Sequence, residues 1–305
     1  MKKVFFGILL LVFLFVFFNK DAIVNMILKE YINSETITLG EPNSYYKNYS
    51  YSFVQDTDNF SPKNRQDILN IIYSFLNRGL DEITFYCDDS YTTCIDDFNE
   101  IADNSLYLSS INNLVHPYNS YSNIYFTFNN YGKIHISTKR TYSDSDIQLI
   151  NNRIKEITDS IITDDMSDYE KILTFHDYIV NNTVYDDNLD IYNHSEATNS
   201  NNALGLLFDG KAICSGYSDV MAIFLNMYGF NNYKISSNEH IWNLVYIDNS
   251  WLHLDATWDD PVTTDGNNVL LHDFFLITTD QLFEKESSLQ KDNHKFNSNL
   301  YLEAN

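Results

Sequence analysis

Cys214, His240 and Asp255 occur in that order along the chain, and together they can run nucleophilic catalysis. A thiol attacks well only as a thiolate, so it needs a base beside it. The base needs a carboxylate to hold its tautomer and to stabilise its positive charge. Cys214 lies in Lys211-Ala212-Ile213-Cys214-Ser215-Gly216-Tyr217, which continues as SDVMAIFLNMYGF. Apolar residues at Tyr217, Val220, Met221, Phe224, Leu225 and Tyr228 follow the period of one face of a helix. Gly229 ends the pattern where a C-terminal cap belongs. Cys214 therefore opens the helix, where unpaired N–H groups and the macrodipole favour a thiolate. Gly216 is expected to keep bulk away from the sulfur, and Gly210 to permit a tight turn into the helix. A buried structural cysteine fits the helix alone equally well.

The base and the carboxylate lie on two strands. Residues 240–247 and 250–257 alternate in polarity about Asp248-Asn249, a two-residue hairpin turn. If Ile247 faces Ser250, then His240 faces Thr257 and Trp242 faces Asp255. His240, Trp242 and Asp255 then share one face, with His240 and Asp255 as diagonal neighbours. A one-residue slip would separate them. The three tryptophans, Trp242, Trp251 and Trp258, all lie in this segment. They either wall a site or pack a core. Asp259-Asp260 ahead of Pro261 reads as a structural turn. A metal site from Cys214, His240 and His253 lacks any Cys-x2-Cys or His-x3-His spacing, so no metal or other cofactor is expected.

These segments, with MSDYEKILTFHDYIVNNTVYD before them and HDFFL and Asp292-Asn293-His294 after them, resemble the transglutaminase-like superfamily over roughly residues 164–295. The likeness is greatest to its bacterial extracytoplasmic members and to the cytokinesis and kyphoscoliosis-peptidase branch. It implies an α+β, papain-like core in which a Cys-bearing helix packs on an antiparallel sheet. It also implies Cys214 as nucleophile, His240 as base and Asp255 as orienting carboxylate. Many bacterial relatives carry Gln after the nucleophile, where this chain has Ser215. The backbone N–H of Cys214 is the expected oxyanion donor, and Trp242 a weaker second one. Ser215, Tyr217 and Trp242 are expected to line the site, and Asn243 and Trp258 to support it. The implied activity is thioester chemistry on peptide or side-chain amides, by hydrolysis or by amine cross-linking. The alternative is a non-catalytic binding module of the cell envelope or division machinery.

The remaining chain positions these parts. Met1-Lys2-Lys3 precedes 15 apolar residues, Val4–Phe18. As a helix they would span about 22 Å of a roughly 30 Å hydrocarbon core. With no small-x-small cleavage site, residues 1–20 read as an uncleaved signal anchor, with a cleaved signal peptide as the alternative. The expected location is the cell membrane, single-pass through residues 4–18 with an extracellular C-terminal domain, or else secretion. Residues 21–60 read as a stalk, 61–160 as a small α+β unit and 161–305 as the transglutaminase-like domain. The small unit has a helix from Ser61-Pro62, a strand over 83–87, a helix near 94–101, and a hairpin about Asn129-Asn130-Tyr131-Gly132. A helix from 143 to 162 is expected to pack Ile147, Ile150, Ile154 and Ile157. A second helix from Met166 is expected to bury Tyr169, Ile172, Leu173, His176 and Ile179, with His176 structural. The polar loop 186–202 is expected at the surface.

Of three cysteines, pairing of Cys87 with Cys94 would leave Cys214 free, and three reduced thiols are the alternative. A net charge of −23 argues against a nucleic-acid partner. The 44% hydrophobic fraction, with 23 Tyr and 21 Phe, supplies a large core. The expected partner is a peptide or protein substrate.

Overall fold

A computed structural model describes residues 13–20, 23–24, 40–187, 199–262, 269–289 and 291–304. Of the expected N-terminal apolar helix, residues 13–18 are helical and exposed, and the rest lies outside the described residues. Among the described residues no helix is long and apolar enough to cross a membrane.

The N-terminal unit begins with α1 (Arg65–Asn77), β1 (Glu82–Tyr86), α2 (Cys94–Ala102) and α3 (Ser105–Leu114). It ends with β2 (Tyr121–Phe128) and β3 (Lys133–Arg140). Its antiparallel sheet has the order β1-β3-β2. α1 starts later than Ser61-Pro62 suggests. Asn64 supplies the cap by accepting from the Asp67 N–H, while the Pro62 carbonyl accepts from Asp88. α3 was not legible, because Ser and Asn fill half of its turns and compete with the backbone. Asn104 caps it through the Tyr107 N–H. A disulfide joins Cys87, just past β1, to Cys94 at the head of α2.

Two capped helices follow, α4 (Asp144–Ile161) and α5 (Asp168–Asn181). Both open on capping boxes, Ser143/Asp146 and Ser167/Glu170. α5 buries Ile172, His176 and Ile179, but Tyr169 is exposed, contrary to the expected stripe. Two short parallel strands, β4 (Val184–Tyr185) and β5 (Lys211–Ala212), deliver the chain to α6 (Cys214–Met227). The sheet β6-β7-β8 comes next (Asn232–Ser236, Ile241–Ile247, Ser250–Leu254), then α7 (Thr279–Leu289).

The β6-β7-β8 sheet is covered on both faces. Val245, Ile247 and Leu254 share a core with α4, α5 and α6. Tyr233, Ile235, Trp242 and Leu244 share the other core with α1, α2, α3 and residues 51–60. The expected stalk is thus incorrect for its last part, since Tyr51, Phe53, Val54 and Phe60 are buried. Their alternation is too short to show as a period, and burying them against α1 and α3 decides their place. α6 is buried on nearly every side from Gly216 to Leu225, not on one face. Its polar Asp219 is satisfied by Lys234 of β6 at 2.5 Å and by the Tyr142 hydroxyl at 2.5 Å.

Candidate active site

Cys214 is placed by the turn before it. Gly210 takes a left-handed φ of 64°, a conformation that favours glycine. The chain then pairs through β5 and enters α6 with Ile213 as the N-terminal cap residue. Gly216 has a different reason from the expected one. A Cβ there would come within 2.9 Å of both the Ala212 Cβ and the Ser200 carbonyl. Its lack of a side chain lets the 200–202 backbone lie against the helix. The Ser200 carbonyl accepts from the Ile213 N–H, and Ser215 Oγ donates to the Asn201 carbonyl at 2.8 Å. Ser215 is thus spent on holding this loop.

The hairpin carries the other two residues. Asp248 and Asn249 both have positive φ, 51° and 61°, as a two-residue hairpin turn of the I′ type requires. Ile247 pairs with Ser250, and the register runs back to Asn243 opposite Leu254. The ladder stops there, so the expected pairs His240–Thr257 and Trp242–Asp255 do not form. Asp255 Oδ1 accepts from the N–H groups of Thr257 and Trp258, which turns the chain away. Its own N–H donates to the Phe274 carbonyl. The register nevertheless leaves His240 Nε2 2.5 Å from Asp255 Oδ2.

Burial alone would press the His240 ring toward neutrality. The charge and hydrogen bond of Asp255 outweigh it, and the Cys214 side chain adds to them, so the ring is pushed up to about 10. Burial would also raise Asp255, but His240 and then His294 hold its carboxyl well below the usual range. With Nε2 committed to Asp255, the ring offers Nδ1 to the thiol. Cys214 is the free cysteine and is partly exposed.

Trp242 lies nearly parallel to the His240 ring, with centroids 5.6 Å apart, and Trp258 meets it edge-on at 6.3 Å. The Trp242 indole N–H donates to His253 Nδ1 at 2.9 Å, so it is not available as an oxyanion donor. Tyr217 is buried and its hydroxyl is hydrogen-bonded to Asp260, so it braces α6 and does not line an open site. Asn243 donates to the Ser218 carbonyl at 3.0 Å, tying β7 to α6. His253 is buried, accepts from Trp242 and reaches Thr279 Oγ1 through Nε2. Both its ring nitrogens are engaged, which leaves none for a metal shared with Cys214. His176 is buried, with Nδ1 3.0 Å from Asp177 and Nε2 3.2 Å from Asp259.

Three residues at the site are given no role by the sequence. His294 Nε2 lies 2.8 Å from Asp255 Oδ2, and its Nδ1 lies 2.9 Å from Glu286 Oε1. Tyr185 on β4 is close enough to Cys214 and Asp255 for their charges, after burial, to raise its hydroxyl pKa. No spacing rule links residues 185, 286 and 294 to a hairpin tens of residues away. Two His-Asp-His groups, His176-Asp177-His272 and His240-Asp255-His294, bring their donor atoms within 4.8 Å of one another. In each, one aspartate oxygen already meets both imidazoles, at 3.0 and 2.7 Å and at 2.5 and 2.8 Å.

Residues 155–256 match the family model of the Transglutaminase-like superfamily. Curated proteins give no match. Among solved structures, the chain is similar to a crystal structure of a TGase at 18% identity, with a TM-score of 0.35. That likeness covers 45% of this chain and 44% of the other. It is also similar to a candidate cysteine protease from Cytophaga hutchinsonii at 13% identity, with a TM-score of 0.28, over 48% of this chain and 65% of that one. The chain thus spans less than two thirds of either structure's length. The chain is thus a mixed helix-and-sheet fold with a transglutaminase-like core, matched over residues 155–256.

Proposed function

We propose that this protein is a thiol hydrolase of peptide or side-chain amides, with Cys214 as nucleophile, His240 as base and Asp255 as orienting carboxylate. The observation that carries the reading is the buried 2.5 Å contact of His240 Nε2 with Asp255 Oδ2, with the Cys214 side chain on the same ring. His240 Nδ1 takes the thiol proton. The thiolate attacks the amide carbon, a C–S bond forms, and the carbonyl oxygen becomes an oxyanion at the start of α6. The Cys214 backbone N–H is the donor we assign there. His240 returns its proton to the amide nitrogen, the C–N bond breaks, and an amine leaves a thioester behind. Water, deprotonated by His240, then cleaves the C–S bond and releases the acid.

A lysine amine in place of water would give a cross-link through the same residues. Hydrolysis is preferred because water needs no further binding site. Incubation of a glutamine-containing peptide with a labelled primary amine tests this choice. Release of free acid in excess of amine incorporation is expected, and the reverse ratio would convert the assignment to a cross-linking enzyme. Full retention of biological function in Cys214→Ala would instead favour a binding module of the cell envelope or division machinery.

We further propose that the chain works outside the cytoplasm, as the bacterial extracytoplasmic members it resembles would. The Cys87–Cys94 disulfide and the apolar run Val4–Phe18 support this reading. Proteolysis of intact cells that removes residues 40–304 from the surface is the expected result. Complete protection until lysis would reject it.

A further inference from the structure

We infer that His294 and Glu286 extend the site into a buried row, Cys214–His240–Asp255–His294–Glu286, in which His294 is a positioning residue that limits how firmly Asp255 holds the His240 proton. The inference rests on the thiol-enzyme reading above and deepens it. Asp255 Oδ2 is shared: His240 Nε2 lies 2.5 Å from it and His294 Nε2 lies 2.8 Å from it. The far nitrogen of His294, Nδ1, is 2.9 Å from Glu286 Oε1, and the His294 backbone N–H donates to the same oxygen. All four of these side chains are buried. A ring with a carboxylate oxygen at each nitrogen can donate at both only as an imidazolium, and that is the form we assign to His294. The two imidazole rings meet edge to face with centroids 5.1 Å apart.

That geometry sets two like charges on one carboxylate. The His294 cation draws on Asp255 and repels positive charge on His240. Without it, Asp255 would belong to His240 alone, and the imidazolium would give up its proton to a leaving amine less readily. The other titratable groups facing this row are His253 from β8 and Tyr185 from β4. Burial, then the His294 charge, lowers His253 to about 3, so it stays neutral and adds no charge of its own. Trp242, Trp258 and Phe274 pack around His294 and exclude water. α7 therefore contributes to the chemistry although its Glu286 reaches Asp255 only through the His294 ring.

Nitrogen-15 spectra of the histidine rings in the full chain test this, in a Cys214→Ala background that removes the thiol from the titration. At pH 7 both His294 ring nitrogens are expected to carry protons, and a neutral His294 ring would overturn the inference without any further variant. His294→Gln keeps an N–H for Asp255 but removes the charge, and it is expected to raise the His240 midpoint by about one pH unit. Glu286→Gln, where the same spectra show that it leaves the His294 ring neutral, is expected to shift it the same way, and it serves if His294→Gln fails to fold. An unmoved or lowered His240 midpoint would mean that His294 only packs the core. Asp255→Asn separates the two readings, because it must lower the His240 midpoint if the triad exists. Should Asp255→Asn leave His240 unmoved, the thiol-enzyme reading itself fails.

Discussion

His240 and Asp255 are fifteen residues apart in the chain and 2.5 Å apart in space. The hairpin turn at Asp248-Asn249 is what brings them together, because its register puts both on one side of the strand ends. Asp255→Asn keeps the shape but removes the charge that holds the imidazolium. A fall in kcat/KM of about 10²- to 10⁴-fold is expected, with a comparable loss in the rate of Cys214 alkylation by iodoacetamide at neutral pH. Unchanged alkylation would show that His240 does not depend on this carboxylate.

The same pair gives stability a pH window. His240 is raised from 6.5 to about 10, so its contribution is complete below the unfolded value and is lost as pH rises through 10. Asp255 is lowered from 3.8, so its contribution is complete above that value and is lost as pH falls through the folded value. The melting-temperature gap between wild type and Asp255→Asn should be flat between pH 5 and 6, on the order of the unfolded values. It should shrink toward either extreme. A gap that grows on acidification would contradict the assignment.

Lys47 is half-buried, and its Nζ donates to the Leu114 carbonyl and to the Asn232 carbonyl. Burial, then the charge of Lys234, lowers it from 10.5 to about 7. Between those values the unfolded chain binds a proton that the folded chain does not, so stability rises with pH. Lys47→Met removes this dependence. Its stability relative to wild type should fall by about 3 kcal/mol for two pH units of rise across this window. Urea titrations at several pH values measure it, and parallel pH profiles would exclude a neutral Lys47.

Gly216→Ala places a methyl group within 2.9 Å of Ala212 Cβ and of a backbone oxygen at Ser200. Backbone cannot yield as a flexible side chain does, so a loss of roughly 1–3 kcal/mol is expected. Because Cys214 lies two residues away, its alkylation rate should fall as well. Thermal denaturation and thiol labelling read the two effects separately.

The Cys87–Cys94 bond closes a short loop with a sequence separation of 7, in the N-terminal unit. Replacing both by Ser should cost about 2–3 kcal/mol on loop-closure grounds. Cys214 alkylation in the folded protein should be unaffected, because the loop contributes no group to the site. Coupled loss of both would mean that the N-terminal unit controls the shape of the site.

Local periodicity and turn chemistry are enough to read several parts of this protein from its residues. The helix opening at Cys214, the capped helices at Ser143 and Ser167, and the hairpin with its register could all be read there. From these followed the juxtaposition of His240 with Asp255, because a two-residue turn leaves one register. Tertiary structure alone decided what lies on the far side of that carboxylate and what fills the space around it. His294, Glu286 and Tyr185 reach the site from separate elements, and nothing local encodes such contacts. Gly216 and Trp242 show the same limit: their residue types were informative, but their partners, a loop carbonyl and a buried His253, were assigned by packing. The burial of Tyr51 and Val54 likewise depends on a surface that exists only once α1, α3 and the sheet have closed on one another.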